Sequence, residues 1–244
     1  MLVSIITPTY RRPERVKVAI RSLLAQTYPA WEAVIIDDGD GEGLAAAESF
    51  GDPRIRTLPN PDRGQVAARN AGVRAARGEV IALLDDDDWW DDPGHLSLIV
   101  EALEPGPALV HRHGWLVRER TEGMQERELF ALPASPERLR QDNTLLTSSL
   151  AYPRTLHDQL GPFDHEVGSY FDWDWILRVL SAGYPLCTLA SPGISYLVHQ
   201  QMVSDDLTNP RRVAYFERFC VKHGLTLTSK NHALLLAEQR SGSR

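Results

Sequence analysis

At 244 residues, with a net charge of −7 and ordinary hydrophobic and charged fractions, the chain suits one large domain, or a domain with a subdomain, and can bury a real core. The acidic balance argues against a nucleic-acid-binding surface, and no apolar run is long enough to span a bilayer. The opening MLVSIITPTYRR places a strand ahead of basic residues, the reverse of a signal peptide. Two cysteines, Cys187 and Cys220, make neither a disulfide framework nor a metal motif, so a cytoplasmic location is expected.

In chain order, Leu2 to Thr7 is an apolar strand, left through the loop Pro8 to Arg12. Pro13 suits a helix first turn, and Val16, Ala19, Ile20, Leu23 and Leu24 recur at helical spacing. Ala33 to Ile36 is a second strand ending in Asp37 and Asp38. A weak helix, Leu44 to Phe50, and a short strand, Arg54 to Leu58, follow. Gly64 to Arg77 is a helix with an alanine-rich face, and it leads into the strand Val80 to Leu84. Strands and helices in alternation predict a mostly parallel sheet flanked by helices. Beyond it, Leu96 to Leu103 is helical and Ala108 to Val117 extended. Glu119 to Asn143 is charged and aperiodic, which predicts a long functional or mobile loop. Thr144 to Tyr152 reads as a strand, Pro153 to Leu160 as a short helix, and the segment from Trp173 as another helix. Leu186 to His199 carries one or two strands, and the helices Pro210 to His223 and Ser229 to Arg240 close the chain.

The stretch EVIALLDDDDWW carries the strongest chemical signal. A short apolar run ends in four aspartates, Asp85 to Asp88, whose carboxylates repel one another and resist desolvation. Strand C-termini in an open α/β sheet face the ligand crevice, and a divalent cation preferring oxygen ligands converts that repulsion into binding. An extended backbone would send Asp85 and Asp87 to one side and Asp86 and Asp88 to the other. The plainer alternative is a solvated acidic turn, with Asp91 and Asp92 capping the helix after Pro93.

Four blocks, taken together and in order, resemble the family-2 glycosyltransferases of the GT-A fold: VSIITPTYRR with LLAQTYPAWE; VIIDDGDGE; RGQVAARNAGVRAARGEVIALLDDDDWW; and LGPFDHEVGSYFDWDWILRVLSAG. The resemblance spans most of residues 2 to 184. It implies a single GT-A domain over 1–205, with a nucleotide-sugar-binding half (1–92), an acceptor-binding half (93–205) and a C-terminal helical extension (206–244). It implies an inverting, metal-assisted transfer of a sugar from a nucleoside diphosphate to a hydroxyl acceptor, in one displacement without a covalent intermediate.

The resemblance also implies roles. Asp38 would accept from a base N–H such as uracil N3, with Tyr10 stacking on the base and Thr7, Pro8 and Thr9 lining the pocket by backbone. Uracil and thymine share that edge, and guanine stays open. Arg69 and Asn70 would meet the donor sugar or phosphates, with Arg63 an alternative phosphate ligand. Asp87 is the expected direct ligand of Mn2+ or Mg2+, joined by Asp88, while Asp85 and Asp86 face ribose or sugar hydroxyls. Asp172, in Phe171-Asp172-Trp173-Asp174, is the expected base. The family's Glu-Asp-x-Asp has Glu where Phe171 stands, a departure bearing on acceptor recognition. His199, in a Tyr-x-x-His-x-x-x-x-Ser segment, is a candidate metal or diphosphate contact. The plainer alternatives are turn or cap aspartates and a surface histidine.

Two rivals make different demands. A magnesium-dependent phosphoryl-transfer enzyme with Asp85 as nucleophile would want an adjacent Thr and a well-placed lysine, but only Lys17, Lys222 and Lys230 exist. A non-catalytic carbohydrate- or nucleotide-binding protein on the same fold would show loss of the metal aspartates or the base, and none is lost. The expected partners are a nucleotide-sugar donor and a carbohydrate or other hydroxyl-bearing acceptor, with peripheral membrane association left open and oligomeric state undetermined.

Overall fold

The computed structural model describes residues 1–119, 125–198 and 206–242. Strand β1 (Val3–Thr9) is central, with β2 (Trp31–Asp37) and then β3 (Ile55–Pro59) parallel on one side and β4 (Val80–Leu83) parallel on the other. The crossover helices are α1 (Pro13–Leu24), α2 (Glu42–Glu48) and α3 (Gln65–Ala75). The chain therefore builds outward from β1 and returns to its opposite edge. That leaves a crevice at the C-terminal ends of β1 and β4, where open α/β sheets bind ligands.

The same sheet continues through β8 (Ala151–Pro153), β6 (Leu109–Glu119), β9 (Leu186–Val198) and β5 (Trp89–Trp90), and β7 (Gln125–Phe130) pairs with β6. Most of the paired length is parallel. Antiparallel pairing enters where β8, β5 and β7 join. Strand β9 is one element rather than two, and its register against β6 shifts between Arg112 and Gly114.

Alternate residues of the buried strands feed two cores. Ile5, Ala33, Ile35 and Ala82 face α1 and α4 (His95–Leu103), whereas Ile6, Val34, Ile36 and Ile81 face α3 and α7 (Phe171–Ser181). A Cβ on Gly72 of α3 would lie 2.6 Å from the Ile6 and Ile36 side chains, so this helix sits close on the sheet and its face is small throughout.

Two expectations change. Within the expected loop 119–143, residues 125–130 form the edge strand β7 and Pro136–Leu139 the short helix α5. Strand β7 exposes nearly every side chain except Phe130, so it has no apolar alternation to betray it. In the expected strand 144–152 only Ala151 onward joins the sheet, and Thr147–Ser149 is a 3-10 turn. There Ser149 Oγ donates back to Leu146 O at 2.7 Å, a local bond that competes with strand pairing. Helix α6 (Arg154–Leu160) follows β8.

The closing helices are part of the body. Helix α8 (Pro210–His223) buries Phe216 and Phe219 in the α7 core, and α9 (His232–Gly242) buries Leu235 and Leu236 in the other.

Candidate active site

A cleft of about 600 Å³ opens at the crevice. Its walls include Pro8 and Thr9 at the end of β1, Tyr10 and Arg12 just after it, Asp38 after β2, Arg69 of α3, and Asp85, Asp86 and Asp87 after β4. Asn143, Thr147 and the Ser169–Trp173 segment form the facing wall, with Arg211, Arg212 and Lys230 from the C-terminal segment.

The aspartate run does not alternate as an extended strand would. Strand β4 ends at Leu83, and Asp88 N donates to Asp85 O at 3.2 Å, closing a turn. The turn swings Asp88 back, so carboxylate oxygens of Asp85, Asp87 and Asp88 lie within 4.8 Å of one another. Asp86 leaves the group and accepts from Thr9 Oγ1 at 2.8 Å. Two guanidiniums answer the charge. Arg12 Nη1 lies 2.6 Å from Asp87 Oδ2 and 3.4 Å from Asp86 Oδ1, and Arg69 Nη2 pairs with Asp85. Asp88 is the most committed, accepting from Leu197 N at 2.9 Å and from Ser148 Oγ.

Burial raises the pKa of Asp85, against the opposing field of Arg69. Burial and then the Asp87 charge push Asp86 up to about 7, and burial with both neighbouring carboxylates pushes Asp88 well above the usual range. Groups held this way shed charge by taking protons, and a hard divalent cation relieves the same repulsion. The converging all-oxygen set of Asp85, Asp87 and Asp88 fits such a cation.

Across the cleft, Asp172 opens α7 and is buried. Its Oδ2 accepts from Thr147 Oγ1 at 2.7 Å and Asn143 Nδ2 at 3.1 Å, and its Oδ1 from Trp173 N at 2.8 Å. Burial lifts its pKa above the ordinary carboxylate value against those donors and the field of Arg69. Asp174 faces away. It lies fully buried against Arg178, Lys222 and His223, which hold its pKa down despite its burial. It ties α7 to the C-terminal end of α8.

The other expected residues divide. Tyr10 is exposed on the rim with Arg11 5.3 Å from its ring centroid. Asp38 lines the cleft and accepts from Gly64 N at 2.9 Å and Asn60 Nδ2 at 2.6 Å, while Asp37 is spent on Gly39 N and Gly41 N. Arg69 lies over the Phe171 ring at 4.4 Å. Thr7 is buried beneath the wall, not in it. Asn70 is turned from the cleft, its amide donating to Phe163 O and accepting from Phe163 N, both at 2.9 Å. His199 lies outside the described residues.

From the sequence Arg12 has no assigned role, and Thr147 and Ser148 are hydroxyls that could line the acceptor side but are unremarkable in a strand. Acceptor identity is left to the 119–143 loop and the C-terminal helices, which no motif explains. The only signal was a run of three hydroxyls between apolar residues, LLTSSLAY, where each buried hydroxyl needs a partner.

A doubly wound sheet with carboxylates and arginines at its switch point, faced by a buried carboxylate, defines a class: enzymes that handle a phosphorylated ligand beside an acid–base group. Comparison with known proteins makes this specific. The model of the family "Glycosyl transferase family 2" matches residues 4–155. The uncharacterized glycosyltransferase YwdF of Bacillus subtilis is 34% identical over 247 residues, covering 98% of this chain and 90% of that protein. The chain belongs to glycosyl transferase family 2 and is a glycosyltransferase. A further relative is the UDP-Glc:alpha-D-GlcNAc-diphosphoundecaprenol beta-1,3-glucosyltransferase WfgD of Escherichia coli. It is 40% identical over 91 residues, or 36% of each chain. Among solved structures, the mannosyltransferase PcManGT of Pyrobaculum calidifontis, in complex with GDP-Man and Mn2+, superposes with a TM-score of 0.68 at 19% identity. It covers 91% of this chain and 63% of its own. TarS of S. aureus, in complex with UDP-GlcNAc, gives a TM-score of 0.69 at 16% identity over 91% of this chain and 66% of its own. The fold is that of the GT-A glycosyltransferases.

Proposed function

We propose that this glycosyltransferase moves a sugar from a UDP- or dTDP-linked donor to a hydroxyl acceptor by a single inverting displacement. The observation that carries the reading is the pairing of opposed groups in one cleft, the Asp85–Asp88 cluster on one wall and the buried Asp172 on the other. Asp38 takes the base N3–H and Tyr10 stacks on the ring, each placed at the end of a parallel strand on the β1–β2 side. Asp87, with Asp85 and Asp88, would hold Mn2+ or Mg2+. A bound cation supplies neutralisation of the charge that develops on the departing diphosphate. Arg12 and Arg69 stand where they can add to that neutralisation as phosphate ligands. Asp172 removes the acceptor proton as the acceptor oxygen attacks the anomeric carbon, and its raised pKa makes it a stronger base than an exposed carboxylate. The donor assignment is further supported by the UDP and UDP-GlcNAc complexes of TarS. His199 is reserved as a late contact to the cation or diphosphate.

Calorimetric titration of the purified chain with UDP, dTDP and GDP, with and without Mn2+, tests the reading. Cation-dependent binding of UDP or dTDP is expected. Tight binding of GDP alone would reassign the base, and binding of none would remove the donor site from this cleft.

A further inference from the structure

The two opposed carboxylate groups are tethered to adjacent residues. Thr147 Oγ1 donates to Asp172 Oδ2 at 2.7 Å, and Ser148 Oγ donates to Asp88 Oδ2 while accepting from Asp85 N at 3.0 Å. Consecutive Cα atoms are about 3.8 Å apart. The base and the cation-facing cluster are thus tied to points one residue apart, although Asp88 and Asp172 are far separated in the chain.

The tether is stiff. Thr147, Ser148 and Ser149 are all buried. Leu150 N donates to Thr147 O at 3.1 Å, Trp90 Nε1 to Ser148 O at 2.9 Å, and Ser149 Oγ to Leu146 O at 2.7 Å. The apolar neighbours Leu145, Leu146 and Leu150 already fill the core there, so packing alone gives no reason to bury two hydroxyls. Each hydroxyl has one proton, and each spends it on a carboxylate.

We propose that Thr147 and Ser148 act as one positioning element, Thr147 orienting the Asp172 carboxylate and Ser148 that of Asp88, so that the 3-10 turn sets the spacing between base and leaving group. The inference rests on the proposed roles of Asp172 and of the aspartate cluster. A single displacement needs base, acceptor oxygen, anomeric carbon and departing oxygen held in one geometry, where misplacement by about 1 Å can cost 10²-fold. Thr147 and Ser148 touch no reacting atom and act through the carboxylates they hold.

The charged neighbour that bears on Asp172 is Arg69 of α3, which favours the ionised form. Thr147, Asn143 and Trp173 N do the same by donating, while burial opposes them. Thr147→Val keeps the side-chain shape and removes one donor, so Asp172 should protonate at higher pH. The test is a pH titration of the full chain by 13C-carboxylate NMR with labelled aspartate, the Asp172 signal being assigned with Asp172→Asn. Thr147→Val should raise the midpoint by about one pH unit, the worth of one hydrogen bond to a charged group, and Thr147→Ser should restore it. Ser148→Ala should leave that midpoint in place and weaken Mn2+ binding, followed by electron paramagnetic resonance, about tenfold. An unchanged Asp172 midpoint in Thr147→Val overturns the proposal. So does a pair of variants that disturb both measurements alike, since the turn would then be mere scaffold. Hydrolysis of UDP-glucose separates the two readings. Turnover retained in Asp172→Asn removes the base assignment, whereas turnover lost there, with the Thr147→Val midpoint unmoved, removes the positioning role alone.

Discussion

Arg12 and Arg69 keep the aspartate cluster from being a purely repulsive site. Arg12 lies on Asp87 and Asp86 and Arg69 on Asp85, so nucleotide phosphates and cation meet a floor whose charge is already partly balanced. Each carboxylate of the triad has a partner, Arg12 on Asp87, Arg69 on Asp85, and Ser148 with Leu197 N on Asp88, and Asp87 is the proposed direct cation ligand. Asp87→Ala should therefore lower cation-dependent nucleotide affinity by two orders of magnitude or more, an estimate in line with loss of a direct ligand. Asp172→Asn should bind nucleotide as the wild type does and lose about 10²–10⁴ in turnover, the usual share of a general base. Calorimetry with UDP and Mn2+ and initial-rate assays read the two losses separately. If both variants lose nucleotide binding equally, Asp172 is not confined to the acceptor side. Asp86 makes a different prediction. Its pKa is raised to about 7, so the folded state holds its proton more tightly than the unfolded chain does. Its favourable contribution is complete below about pH 4 and is lost as pH rises through about 7. Relative to wild type, Asp86→Asn should gain stability across that window, by on the order of 1–4 kcal/mol at pH 8 in cation-free buffer. Urea melts at pH 5 and pH 8 would show it, and an equal difference at both would refute it.

Element packing decides how the base wall is presented. The 3-10 turn His165–Tyr170 delivers the chain to Asp172, and α8 lies against it through Tyr215 on Gly168. Gly168 has φ of +48°, and a Cβ there would sit 2.3 Å from the Tyr215 ring. Gly168→Ala combines backbone strain with a steric clash, so a loss of about 2–4 kcal/mol is expected from urea denaturation. Adding Tyr215→Ala should cost less in the Gly168→Ala background than in wild type, because the clash is then removed. Strict additivity in that cycle would show that the ring does not press on the turn. The same scale separates what the chain declares from what it hides. The strands around β1 were legible because they are buried on both faces and run apolar, and the aspartates were legible because four carboxylates together demand an explanation. Strand β7 was not, since its one buried side chain, Phe130, leaves no period to read. Nor were the hydrogen bonds of Asn70 to Phe163 or the pairing of Arg12 with Asp87, because each joins residues more than seventy apart. The Thr147 and Ser148 hydroxyls have partners on α7 and on the loop after β4, and no local pattern names them.

Over the whole molecule, buried histidines and buried aspartates pull the pH dependence of stability in opposite directions. His95, His111 and His157 are all buried, and burial lowers them to about 3, about 3 and about 4. The folded state keeps these rings neutral while the unfolded chain protonates them near pH 6.5, so their contribution is complete above about 6.5 and is lost as pH falls. From pH 6.5 to 5 each loses about 2 kcal/mol, roughly 6 kcal/mol for three, against a total stability of about 5–15 kcal/mol. The raised carboxylates of Asp85, Asp86, Asp88 and Asp172 act the other way, recovering part of that loss. The histidine shifts do not depend on a bound cation, whereas a cation held by the aspartates displaces their protons, so with Mn2+ present the net effect should be acid destabilisation. The midpoint of thermal unfolding should fall by roughly 10 °C between pH 7 and pH 5, using about 2–4 °C per kcal/mol for a chain of this size. His111→Gln, which can keep a hydrogen bond to Thr188 without a titrating ring, should remove about a third of the histidine share. Scanning calorimetry on both chains at constant ionic strength checks the balance. A midpoint that rises toward pH 5 would mean the aspartate cluster dominates, and Mn2+ should then stabilise the chain far more at pH 8 than at pH 5, because only at the higher pH must it displace no protons.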